Sequence, residues 1–131
     1  MLLESSCHCG AVRFSMQSHT PYPYARCSCS ICRKTAGSGR FGIFLLGLAE
    51  TLKIEGDENI TRYQAKMDDG SVSPAEQSFC NRCGSQLWLF DPRWPEHLHP
   101  FASAFDTPLP KPPAFLDYFL LYYLFLLKFH H

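Results

Sequence analysis

Seven cysteines in a chain of 131 residues are the side chains with the most chemistry to offer. They fall into three groups: Cys7-x-Cys9, Cys27-x-Cys29-x-x-Cys32 and Cys80-x-x-Cys83. An odd count excludes complete intramolecular disulfide pairing, and clustered cysteines in a reducing compartment point to metal binding or thiol chemistry. In a strand, residues i and i+2 share a face about 6.6 Å apart. Two thiolates on one tetrahedral zinc, each about 2.3 Å from the metal, sit closer than that, so the chain must bend at each pair. Gly10 follows one pair and Gly84 another. Glycine adopts positive φ, which lets backbone N–H groups turn toward the sulfurs and stabilise thiolate charge.

Seven thiolates divide into four and three. Four close a tetrahedral site of the structural type, and three leave the open position of a catalytic zinc. Counting leaves open which group joins Cys80 and Cys83. A zinc shared between Cys9 and Cys80 would staple the two ends of the core, and structural zinc contributes roughly 10–16 kcal/mol in small peptides. His8, between Cys7 and Cys9, is expected on the face opposite the two sulfurs. A redox dithiol is the competing reading of Cys27–Cys32, because C-x-x-C also serves thiol exchange.

The elements that must hold these groups read as short strands. Val12, Phe14 and Met16 alternate with Arg13 and Ser15, the pattern of a half-buried strand. Pro21 and Pro23 stiffen an extended approach to Tyr24-Ala25-Arg26. Residues 27–39 read as a loop with at most one helical turn. Phe41–Leu46, Thr51–Ile54, Ile60–Gln64 and Gln86–Phe90 are strand-like, separated by turn signals at 55–59 and 68–71. Asp91-Pro92-Arg93 reads as a turn, and Trp88, Trp94, Phe41 and Phe44 as core or cleft wall. The class expected is all-β, a single domain, with the zinc-binding β unit over residues 1–113.

An unbroken apolar run, Tyr118–Leu127, sets residues 114–131 apart as a tail. It is about half the roughly 20 residues a membrane span needs. It reads as a buried terminal element, a subunit contact within a homo-oligomer, or a non-native extension ending in His130-His131. The first seven residues lack the basic and apolar regions of a secretory signal, so a cytoplasmic location is expected. Twelve Lys and Arg balance twelve Asp and Glu, which argues against a general nucleic-acid binder. The balance is uneven along the chain. Residues 1–49 hold five bases against Glu4 alone, and residues 50–131 hold seven bases against eleven acids.

Three motifs, taken together and in order, resemble one family. They are Ser6-Cys7-His8-Cys9-Gly10-Ala11-Val12-Arg13-Phe14, Cys27-Ser28-Cys29-Ser30-Ile31-Cys32-Arg33-Lys34 and Phe79-Cys80-Asn81-Arg82-Cys83-Gly84-Ser85-Gln86-Leu87. The chain is similar through them to the glutathione-dependent formaldehyde-activating family over about residues 5–110. The resemblance implies a zinc-stapled β-tent of antiparallel strands, with Phe101–Asp106 as its final core strand. It implies a structural zinc on Cys7, Cys9, Cys80 and Cys83. It also implies a second, catalytic-type zinc on Cys27, Cys29 and Cys32, near where glutathione docks as co-substrate. The implied activity is condensation of formaldehyde with glutathione to S-(hydroxymethyl)glutathione, or a related small thiol–aldehyde conjugate, a carbon–sulfur lyase reaction in reverse.

Three thiolates on Zn²⁺ carry a net charge of −1, and a substrate thiolate would make it −2, so nearby cations are needed. Arg26, Arg33, Lys34 and Arg40 flank this cluster, and Arg33 and Lys34 are the expected partners of glutathione carboxylates. Zinc could lower the pKa of a bound thiol or polarise the aldehyde oxygen, and a single open position suits a soft sulfur ligand. His19, His97 and His99 are candidate bases by residue type alone. Two other readings stay open beside the enzyme: a non-catalytic zinc-binding interaction module, and a thiol redox protein.

Overall fold

The computed structural model describes residues 1–113 and 116–117. The alternating segment forms as read. β2 (Arg13–Gln17) buries Phe14 and Met16 and turns Arg13 and Gln17 outward. It pairs antiparallel with β1 (Leu2–Ser6), Leu3 opposite Met16 and Ser5 opposite Phe14. On its other edge it pairs with β5 (Lys53–Glu55), completing a three-stranded sheet.

A larger sheet takes the remaining strands. These are β3 (Thr20–Cys27), β4 (Gly42–Leu48), β6 (Ile60–Tyr63), β7 (Glu76–Cys80), β8 (Gln86–Phe90), β9 (His97–Pro100) and β10 (Leu116–Asp117). Their spatial order is β10-β3-β4-β9-β8-β7-β6. All pairs are antiparallel except β10 with β3, where Leu116 lies opposite Ala25. Leu116 and Asp117 fall within the expected tail. The apolar run 118–127 and His130-His131 lie outside the described residues.

The all-β, single-domain expectation holds. Among the described residues α1 (Ser30–Thr35) is the one α-helix, six residues inside the segment read as a loop with at most one helical turn. Phe101–Asp106 is a correction: a 3-10 turn at Ala102–Ala104 replaces the expected strand. Single bridges, Phe44 with Phe101 and Ser5 with Phe105, tie its ends to the sheets. Ala102, Ser103 and Ala104 are small residues that follow Pro100-Phe101. They close the turn with Ala104 N–H on the Phe101 carbonyl instead of a strand ladder. Trp94 is also corrected: it is 54% exposed, with the Arg93 guanidinium 5.1 Å from its ring centre.

Successive strand residues point to opposite faces, and the large sheet uses both. Leu45 and Trp88 pack with Leu3, Val12, Phe14 and Met16 between the two sheets, and Leu87 joins them where the register of β7 with β8 shifts by one residue. The Phe14 and Trp88 rings meet edge-on at 5.0 Å. The neighbouring residues Phe44 and Leu89 face the other way, toward Ala25 and Phe101. Each core carries thiols: Cys7 and Cys80 belong to the first, Cys27 and Cys32 to the second.

Candidate metal centres and the adjoining cavity

Two turns build the first thiol group, and they share a design. Cys7 directly follows β1, and Cys80 ends β7. In the first turn Gly10 N–H donates to the Cys7 carbonyl and Cys7 N–H to the Val12 carbonyl. In the second, Gly84 N–H donates to the Cys80 carbonyl and Cys80 N–H to the Ser85 carbonyl. Gly10 and Gly84 both have φ +79°, a left-handed conformation that glycine adopts without strain. The turns aim backbone donors at sulfur as the sequence suggested. Val12 N–H lies 3.3 Å from Cys7 Sγ, and Arg82 N–H 3.4 Å from Cys80 Sγ.

The sulfurs of Cys7, Cys9, Cys80 and Cys83 all lie within 4.8 Å of one another. Cys7 Sγ is 3.6 Å from Cys9 Sγ, and Cys9 Sγ is 3.8 Å from Cys80 Sγ. A zinc–sulfur bond of about 2.3 Å in a tetrahedron sets neighbouring sulfurs about 3.8 Å apart, so the donor set fits that ion. Burial opposes ionisation of Cys7, but the Val12 N–H and the Cys9 and Cys80 thiols lower its pKa overall. The Ser85 hydroxyl and the backbone at Cys9 bring Cys83 down to about 5. His8 is exposed, its backbone N–H on Ser85 Oγ, outside this group.

The second group spans a strand end and a helix start. Cys27 ends β3. Cys29 caps α1, its sulfur accepting from Cys32 N–H at 3.4 Å. The three sulfurs lie within 4.8 Å of one another. Among the described residues no fourth Cys, His, Asp or Glu completes the group. The thiols of Cys27 and Cys32 pull Cys29 down to about 2. Cys29 in turn pushes Cys27 up, and Cys27 and Cys29 push Cys32 up. One thiolate held by two protonated neighbours is a donor set that a divalent cation would relieve of its protons.

A cavity of about 310 Å³ opens on these three cysteines. Its walls are mostly apolar: Ala25, Ile31, Phe44, Ala65, Met67 and Leu89. Gln77, Arg93 and His99 also line it. Gln77 is buried on β7, with its amide nitrogen 4.0 Å from Cys32 Sγ. Burial lowers the pKa of His99, with His97 adding to the effect, which keeps the ring neutral and able to accept a proton.

Of the candidate bases only His99 reaches the cavity wall. His19 is exposed, and His97 is half-buried on β9 outside the lining. Arg33 and Lys34 occupy the last turn of α1, directly after Cys32, half-buried and exposed respectively, and neither lines the cavity. Arg26 lies 5.9 Å from the centre of the Phe41 ring. Sequence reasoning missed Gln77 and Arg93. The alternation of β7 could have flagged Gln77, since a glutamine on its buried face needs a partner.

No helix among the described residues is long and apolar enough to cross a membrane. The family model for the glutathione-dependent formaldehyde-activating enzyme matches residues 2–118. A Halomonas elongata protein, named provisionally for that same activity, is 62% identical over 113 residues, covering 86% of this chain and 71% of its own length. A crystal structure of a Rhodobacter sphaeroides protein superposes with a TM-score of 0.65 at 26% identity, covering 82% of this chain and 91% of the other. The chain therefore belongs to the family of glutathione-dependent formaldehyde-activating enzymes.

Proposed function

We propose that the chain joins formaldehyde to the thiol of glutathione, or splits the adduct, at the Cys27–Cys29–Cys32 group. The observation that carries this reading is the contrast between the two thiol groups. Four sulfurs converge in one and three in the other, and the cavity opens on the three. A four-sulfur site leaves no room for a substrate, whereas three donors leave one position for an incoming ligand. Family membership supports the same thiol and aldehyde.

In this reading Cys7, Cys9, Cys80 and Cys83 hold a structural zinc and Cys27, Cys29 and Cys32 a catalytic one. Zinc bound at the second group would supply Lewis acidity, which lowers the pKa of a thiol or polarises an aldehyde oxygen. The chain's own residues do the rest. Arg33 and Lys34 attract glutathione carboxylates to the rim and offset the negative charge of the thiolates. The apolar walls exclude water from the reacting atoms. His99, held neutral by its burial, accepts the thiol proton and returns it to the adduct oxygen.

Exchange between formaldehyde and glutathione, followed by NMR with and without the purified protein, tests the proposal. The expected result is faster exchange that is lost with Cys27→Ser. Exchange at the uncatalysed rate would refute it.

A further inference from the structure

We propose that this site accepts glutathione adducts of aldehydes carrying an apolar group of several carbons, with that group in the cavity and the adduct hydroxyl on Gln77. The inference deepens the function proposed above and rests on it.

Size is the first argument. A hydroxymethyl group has two heavy atoms. At a water molecule's share of liquid volume, roughly 30 Å³ each, it fills about 60 Å³. The cavity holds about 310 Å³, so the hydroxymethyl group of a formaldehyde adduct fills about a fifth of it.

Polarity decides what fills the remainder. Glutathione brings two carboxylates and an ammonium group, and burying charges without partners is strongly unfavourable. The cavity walls offer alanine, isoleucine, phenylalanine, methionine and leucine side chains. Arg93 is the cationic side chain in the lining, and it already makes an ion pair with Asp91 at 2.7 Å. The charged ends of glutathione therefore belong outside, beside Arg33 and Lys34, and an apolar substituent belongs within. The rim agrees. Tyr63 and Met67 line the cavity yet remain 46% and 41% exposed. Tyr63 ends β6, and Met67 lies in the connection from β6 to β7, which the Lys66–Val72 bridge closes.

Gln77 supplies the polar anchor. It is only 4% exposed, and its side-chain carbonyl oxygen has no hydrogen-bond partner. A buried acceptor left unpaired is costly, and native structures usually pair it. Its amide nitrogen lies 4.0 Å from Cys32 Sγ and the residue lines the cavity, so the side-chain amide stands next to the three thiols. The reaction provides the matching donor. As the thiol adds to the aldehyde, a carbon–sulfur bond forms and the carbonyl π pair moves onto oxygen. The thiol proton ends on that oxygen, and nothing is oxidised or reduced. The hydroxyl so formed can donate to Gln77, and cleavage of the adduct reverses each step.

S-methyl-, S-butyl- and S-hexylglutathione are stable thioethers with which the full-length, zinc-loaded protein can be titrated by calorimetry. Each buried methylene should tighten binding about fourfold, so the S-butyl compound should bind about sixtyfold tighter than the S-methyl. Ala65→Phe, which narrows the cavity, should flatten that series. In parallel, NMR exchange should give a higher kcat/KM for pentanal with glutathione than for formaldehyde. Gln77→Leu should reduce adduct turnover at least tenfold more than thioether affinity, because the thioethers have no hydroxyl. Equal affinity across the three thioethers, with formaldehyde exchange still accelerated, would overturn the inference and leave the proposed function standing. No acceleration with any aldehyde would overturn both. Equal effects of Gln77→Leu on turnover and on thioether affinity would overturn the role of Gln77.

Discussion

Replacing Cys80 by serine should unfold the domain far more readily than replacing Cys27. Cys80 is fully buried at the end of β7. Its sulfur faces Cys9 across a sequence separation of 71 residues, whereas Cys27 and Cys32 are separated by only a few residues. Treating each metal link as a cross-link, chain entropy assigns about 4.4 kcal/mol to closing a 71-residue loop and about 2 kcal/mol to a loop of five. Domains of this size are stable by about 5–15 kcal/mol, so the longer link is a large share of the total. Cys80→Ser should lower Tm by about 15 °C or more and release one zinc. Cys27→Ser should also release one zinc, shift Tm by less than half as much, and abolish acceleration of glutathione–formaldehyde exchange. Calorimetric melts paired with zinc analysis make the comparison. Equal Tm losses, or a larger loss with Cys27→Ser, would refute the division into a structural and a catalytic group.

Arg33→Ala combined with Lys34→Ala should raise the KM for glutathione about three- to tenfold with zinc content unchanged, since two solvent-accessible charge partners contribute about 1 kcal/mol; steady-state kinetics over a glutathione range measures it. Gly56→Ala should destabilise the fold by about 2 kcal/mol or more, read from urea melts. Gly56 has φ +84°, and a Cβ there would meet the Ala11 carbonyl oxygen at 1.9 Å. Asp91 should make stability fall in acid. The Arg93 side chain beside it holds its pKa below the usual carboxylate value. That contribution is present above the unfolded value of about 3.9 and is lost as pH falls through the lower folded one. Asp91→Asn should cost about 0.5–1 kcal/mol at pH 7 and correspondingly little at pH 2, measured by denaturant midpoints at both pH values.

Much of this molecule is legible in its sequence, for local reasons. β2 declares itself because Phe14 and Met16 are buried against the core while Arg13 and Gln17 meet water. The turn at 55–59 is marked by Gly56, which takes the left-handed conformation before the 3-10 turn. The cysteine pairs carry their bends in Gly10 and Gly84. Other elements are set by contacts distant in sequence. β1 has little pattern of its own, since Ser5 is buried beside Leu3 only because β2 lies opposite. β9 is hidden by its proline and two histidines, and pairs with β4 and β8 all the same. The cavity is hardest to foresee. Gln77, Arg93 and His99 come from β7, the turn after β8 and β9, and only the folded sheet places them around Cys27, Cys29 and Cys32.

Zinc-edge X-ray absorption on the purified protein, with and without glutathione, tests most directly the claim of one closed and one open thiolate site. Two zinc ions per chain should show an average of about 3.5 sulfur neighbours at about 2.3 Å, rising to about 4 when glutathione is added. A single zinc per chain, or a full four-sulfur shell that glutathione leaves unchanged, would contradict it.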